Sequence, residues 1–170
     1  MRVPPPAALV CLDLQRGRLA DAAGDGAVAA CQFVLAQARA RRWPVLHVHR
    51  REASPETARP ILGLEPLASE PVYVRSGPSA FSNQAFAQTA QALGGPLALV
   101  GFSLRDTVLA TAIAAADRNL PVEILVDAVA ADAGDRLAPT YASLAPHCRL
   151  IDSDDLLQEE AALVEAANTP

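Results

Sequence analysis

Leu97-Ala-Leu-Val100 is an unbroken apolar run that ends at Gly101, and the chain continues Phe-Ser-Leu-Arg-Asp-Thr-Val-Leu-Ala-Thr-Ala-Ile-Ala-Ala-Ala116. A strand without polar interruption is one buried on both faces. The alanine-rich segment behind it has high helix propensity and is predicted to run to Arg118 and Asn119. A strand that closes on glycine and opens into a helix gathers unpaired backbone N–H groups and the positive helix end at one point. In α/β proteins ligands and nucleophiles sit at such a point, so the side chains around Gly101 decide what the chain can do.

The rest of the chain repeats the alternation. Ala7 to Leu12 is a buried strand followed by Asp13-Leu14-Gln15, and Arg16 to Gly26 is a polar loop. Ala27 to Arg42 carries Val28, Cys31, Val34, Leu35 and Ala38 at helical spacing, with Arg39, Arg41 and Arg42 in its last turn. Pro44 ends that helix and starts the strand Val45–His49. Arg50 to Glu70 shows no periodicity and reads as an irregular excursion. Val72-Tyr73-Val74 is a short third strand, and Ser82 is the predicted N-cap of a helix reaching Leu93. Gly94-Gly95-Pro96 stops it. After the opening stretch come a strand over Pro121–Val126 ending at Asp127, a short helix over Pro139–Leu144, a strand over Cys148–Ile151, and a helix over Ser153–Ala166 capped by Ser-Asp-Asp. Asn168 to Pro170 should fray. The expected fold class is therefore α/β, a three-layer α-β-α arrangement with a six-stranded, mainly parallel sheet and helices on both faces, in one domain over residues 1–170. Asp13, Arg75, the Gly101 loop and Asp127 all follow strands, so they belong to the sheet edge where such folds hold their sites.

Composition removes several functions. A net charge of −5 gives no reason to expect nucleic-acid or anionic-membrane binding. No apolar segment approaches the roughly 20 residues needed to span a bilayer, and the N-terminus lacks a signal-peptide pattern, so a cytoplasmic protein is expected. Cys11, Cys31 and Cys148 lack zinc-ligand spacing and read as reduced packing residues. His47 and His49 share one strand face, but no third ligand follows, so neither a metal nor another cofactor is expected. Asp127, Asp132, Asp135 and Arg136 read as a solvated, loop-closing polar edge.

Four segments in order carry a resemblance. Leu-Val-Cys-Leu-Asp13-Leu-Gln15 resembles the Asp-x-Gln strand end of the isochorismatase-like (cysteine hydrolase) family. Arg75-Ser-Gly-Pro-Ser79-Ala80-Phe81 resembles its Lys-x-x-x-Ser-Ala-Phe segment. Gly101-Phe-Ser-Leu-Arg-Asp-Thr107-Val108, with Thr111, Ala112 and Ala115, resembles its Gly-x-x-Thr-x-x-Cys-Val-x-x-Thr-Ala-x-x-Ala signature. Val122 to Ala128 resembles the strand closing in Asp-Ala. The resemblance implies that the first and fourth strands are neighbours and that a cis peptide joins Phe102 and Ser103. It also implies a small-molecule site in which Asp acts as base, with a Lys and a Cys nucleophile assisted by backbone N–H donors. Carried over, that site comprises Asp13, Arg75 and Thr107, with Gln15, Phe81, Phe102, Ser103, Arg105 and Asp106 as binding residues.

The chain departs from the pattern at the chemistry. Thr107 stands at the Cys position, Arg75 at the Lys position, and Leu104 at the family's Thr. A thiol of pKa about 8.5 ionises beside a base; a Thr hydroxyl is a far weaker acid and needs a strong base. A carboxylate of pKa about 3.9 is a poor one, and Arg does not shuttle protons. Cys11 lies deeper on Asp13's own strand face and reads as packing. Three readings remain at this stage: a member that has lost catalysis, with Asp13 and Arg75 paired; an acid-assisted hydrolase of a small carboxylate using Asp13, as isochorismatases proper cleave a vinyl ether; and a protein that binds a small anion or serves as a homo-oligomerising partner.

Overall fold

The computed structural model describes residues 5–19, 26–131 and 137–168. Six strands, β1 (Ala8–Leu12), β2 (Val45–His49), β3 (Val72–Val74), β4 (Leu97–Phe102), β5 (Val122–Ala130) and β6 (Arg149–Ile151), form one sheet in the order β3-β2-β1-β4-β5-β6. Every adjacent pair is parallel. The first and fourth strands are neighbours, in register from Ala8 opposite Leu97 to Leu12 opposite Gly101.

Alternation along the central strands divides the core between the two faces of the sheet. Val10, Leu12, Leu46, Val48, Leu99 and Ile124 pack with Phe86 and Ala90 of α3 (Gln84–Leu93), Ala112 and Ala115 of α4 (Leu109–Ala116), and Leu144 of α5 (Leu137–Leu144). Leu9, Cys11, Ala98, Val100 and Leu125 pack on the other side with Cys31, Val34 and Leu35 of α1 (Gly26–Ala40) and with Leu156 and Leu157 of α6 (Ser153–Ala167). The expected three-layer arrangement is the one observed. Among the described residues no helix is long and apolar enough to cross a membrane.

Several boundaries differ from expectation. Ser82 does not cap α3; it lies in a 3₁₀ turn (Ala80–Ser82), where its hydroxyl donates to the Ser79 carbonyl and accepts from the Gly77 N–H. With Ser82 committed there, Asn83 becomes the cap and accepts from the Phe86 N–H. The excursion after β2 contains a one-turn helix, α2 (Pro55–Ala58), started by Ser54 as cap with Pro55 behind it. β5 runs to Ala130 rather than Val126, because a register shift between Leu99 and Gly101 lets the chain bulge past Asp127 and rejoin β4 at Val129. Bulged out of the ladder, Asp127 accepts from the Ser153 N–H at 2.9 Å and so holds the start of α6. Asp132, Asp135 and Arg136, the other residues of the expected polar edge, lie outside the described residues, as do Thr169 and Pro170. Gly94 ends α3 in the left-handed conformation its position suggests.

Gly101 controls the centre of the sheet. Its φ is +120°, and a Cβ there would lie 2.0 Å from the Leu12 carbonyl oxygen. No side chain fits that contact. Gly101→Ala should therefore destabilise the protein by at least about 3 kcal/mol in urea unfolding, or leave no folded protein. Gly26→Ala, where a Cβ meets nothing within 4 Å, should stay within about 0.5 kcal/mol of the parent.

Candidate functional site

The tight β1–β4 pairing sets the end of one strand beside the loop leaving the other. Asp13 is the first residue past β1; its φ of +51° ends the strand alternation, and its N–H donates to the Val48 carbonyl at 2.8 Å. Cys11, expected on the same face, packs instead with Cys31 and Leu35 on the α1 side, where burial pushes its thiol well above the usual range. Cys31, raised to about 12 chiefly by burial, is equally inert.

Past Phe102 a cis peptide leads into Ser103, as the resemblance implied. The alanine-rich stretch does not enter an α-helix at once. Leu104–Val108 forms a wider π turn, in which the Val108 N–H reaches back to the Ser103 carbonyl at 3.1 Å, and α4 follows. Thr107 on this turn is fully buried, and its hydroxyl donates to Asp13 Oδ2 at 3.1 Å.

Arg75, one residue past β3, completes the cluster. Its Nη2 lies 2.8 Å from Asp13 Oδ2 and its Nε 3.1 Å from Oδ1, a two-pronged grip, while Nη1 donates to the Gly77 carbonyl at 2.7 Å. Asp13 is fully buried and the Arg75 side chain is 12% exposed. In this geometry all of Asp13's side-chain partners donate to its carboxylate oxygens.

The other residues named from the sequence are spread around this centre. Gln15 turns away and brackets the neighbouring loop: its amide donates to the Arg50 and Ala58 carbonyls and accepts from the Arg50 N–H. Ser103 is buried, with its hydroxyl unpartnered among the described residues. Phe102 points into the core on the α1 and α6 side, and Phe81 stacks edge-to-face on Phe86 beneath the Arg118 guanidinium. Phe81, expected as a binding residue, thus ties its segment to α3. Arg105 and Asp106 are exposed on the π turn.

Two features escaped sequence reasoning. Thr111, one turn beyond Thr107, accepts from the Ala80 N–H at 3.0 Å and ties the Ser-Ala-Phe segment to α4; its i, i+4 spacing from Thr107 was the available signal. Glu70, inside the excursion, accepts from Arg39 at 2.8 Å, from the Leu67 N–H at 3.0 Å and from His47 Nε2 at 2.9 Å. No local pattern announces that network. His47 and His49 do share a face, edge-to-face at 6.4 Å, and burial lowers both imidazoles. Among the described residues no group of three His, Cys, Asp or Glu side chains is placed to hold a metal.

The isochorismatase domain family matches residues 7–151. The chain belongs to the isochorismatase family. An isochorismatase from Pseudomonas putida superposes with a TM-score of 0.75 at 25% identity, over 89% of this chain and 92% of the other. An isochorismatase family protein from Burkholderia thailandensis gives 0.79 at 21% identity, over 94% and 99%. An N-carbamoylsarcosine amidase from Thermoplasma acidophilum gives 0.73 at 22%, over 88% and 97%. No curated protein matches the chain in sequence.

Two predictions follow from the ion pairs. Arg75→Ala leaves a fully buried carboxylate without its counter-charge and should cost about 3–5 kcal/mol in chemical denaturation. Adding Asp13→Asn should recover part of that loss, giving a coupling of about 2 kcal/mol; additive losses would show the pair to be uncoupled. At Glu70, burial pushes the carboxyl upward, but the Arg39, Leu67 and His47 bonds outweigh it and bring it from 4.5 to about 2. A depressed carboxyl stabilises the fold above its unfolded value and loses that contribution as pH falls through the folded one. Glu70→Gln should therefore be less stable than the parent at pH 7, and their urea midpoints should converge between pH 4.5 and 2.

Proposed function

We propose that this isochorismatase-family protein carries out no cysteine-hydrolase chemistry and that Asp13, Arg75 and Thr107 form a structural lock where relatives of the usual pattern keep a base, a lysine and a nucleophile. One observation carries the reading: the fully buried Asp13 carboxylate is gripped by both prongs of Arg75 and also accepts the Thr107 hydroxyl. A general base needs a free lone pair facing a substrate proton. Here the oxygens are taken up by protein donors and closed off from solvent.

The same geometry weighs against acid-assisted cleavage of a vinyl ether, because an acid catalyst must reach its substrate and Asp13 is fully buried beneath the fork of a charged Arg75. It also weighs against Arg75 as a clamp for a substrate carboxylate, since the Nε and Nη2 edge that would grip one is already on Asp13 and Nη1 donates to Gly77. Arg75 holds its own chain together, and the protein's role falls to binding elsewhere or to self-association.

The test is turnover. Purified protein should show no hydrolysis of nicotinamide, of an N-carbamoyl amide or of isochorismate above a buffer control, and Thr107→Ala should change nothing. Amide hydrolysis that survives Cys11→Ala and disappears in Thr107→Ala would overturn the reading and make Thr107 a nucleophile. Isochorismate loss abolished by Asp13→Asn would establish the acid mechanism instead.

A further inference from the structure

A cavity of about 310 Å³ opens at the other end of the sheet from Asp13, where β2 and β3 begin. Its lining includes Arg39, Trp43, Leu67, Ser69 and Glu70, between Pro44 and Pro71. That volume is at the lower end of those that hold small organic ligands. Trp43, Leu67 and the two prolines make most of its wall apolar, and Trp43 offers a flat aromatic face.

Its polar groups are one-sided. Glu70 is largely committed: Oε2 accepts from Arg39 Nη2, the Leu67 N–H and His47 Nε2, and Oε1 accepts from Arg39 Nε. Arg39 uses Nε and Nη2 on Glu70 and on the Glu65 carbonyl. Among the described residues nothing takes the Nη1 protons of Arg39, the indole N–H of Trp43 or the hydroxyl proton of Ser69. The open capacity is thus chiefly that of donors, one of them charged and held rigidly by the Glu70 pair. A ligand suited to this lining brings acceptor oxygens, negative charge and a planar apolar body.

The geometry points to a binding site for a small aromatic carboxylate in this cavity, with the ring against Trp43 and the carboxylate on Arg39 Nη1. The site shares no residue with the Asp13 cluster, so it stands whether or not that cluster is catalytically silent.

Trp43 is the one tryptophan of the chain, so its emission reports on this cavity alone. Titration with benzoate at constant ionic strength should change that emission saturably, with a midpoint below about 10 mM. Acetate, which lacks the ring, and benzyl alcohol, which lacks the charge, should each bind at least tenfold more weakly. Arg39→Gln should weaken benzoate at least tenfold. Ser69→Phe, at an exposed position, should fill the cavity and abolish the saturable change, which keeps the test decisive if Arg39→Gln does not fold. Thr107→Val, in the other cluster, should leave the benzoate midpoint unchanged. A change linear in benzoate, an undiminished response in Ser69→Phe, equal binding of benzyl alcohol or acetate, or loss of the response in Thr107→Val would each overturn the assignment. So would a saturable response to a triproline peptide with none to benzoate, which would make the cavity a docking point for extended proline-rich chain.

Discussion

The backbone contact between Gly101 and Leu12 is the constraint on which the rest of this structure depends. A Cβ at residue 101 would sit 2.0 Å from the Leu12 carbonyl, so β1 and β4 approach as they do only because that side chain is missing. Their pairing delivers Asp13 to the loop that follows Phe102. The bulge in β5 begins beside the same residue, with the ladder resuming at Gly101 opposite Val129. The released Asp127 then starts α6. One glycine thus links the centre of the sheet, the Asp13 cluster and the packing of the last helix.

Around Asp13 an isochorismatase-family fold carries a tightly hydrogen-bonded cluster. The cis peptide, the strand-end aspartate and the turn into α4 are in place. Thr107 and Arg75 convert what surrounds them. A hydroxyl donates where a thiol would ionise, and a guanidinium grips both carboxylate oxygens at once, a geometry an ammonium does not offer. A buried carboxylate demands donors of this kind, and the cluster is internally complete as a result. At the other end of the sheet Glu70 is held by Arg39, Leu67 and His47, while among the described residues Arg39 Nη1, the Trp43 indole and the Ser69 hydroxyl donate to no protein acceptor.

Much of the architecture is legible because the central strands β1 and β4 are apolar throughout, which happens when both faces are covered. The helix over Gln84–Leu93 and its glycine stop were equally plain, but its cap moved by one residue, because Ser82 is claimed by the loop that folds back from Ser76 and Gly77. Competition between local hydrogen bonds is not written in the residue type. The first turn after Ser103 was read as α-helix from its propensity, and it is a π turn that carries Thr107 to Asp13. Phe102 and Gln15 enter the expected site through the resemblance; the register sends Phe102 into the α1 side of the core, and the chain at Arg50 and Ala58 takes up Gln15.

By itself the sequence determined the α/β class, the family resemblance and the three residue types at the site, because apolar runs, glycine and motif spacing are local properties of the chain. Only the tertiary structure decided what those residues do to one another. Asp13 and Arg75 are 62 positions apart and Asp13 and Thr107 are 94, and parallel pairing of β1 with β2 and β4 brings them within hydrogen-bond reach. The same holds for Glu70, whose partners Arg39 and His47 lie on an earlier helix and strand. A side chain's type is local to the chain, whereas its charge and its availability are tuned by neighbours that only the fold supplies.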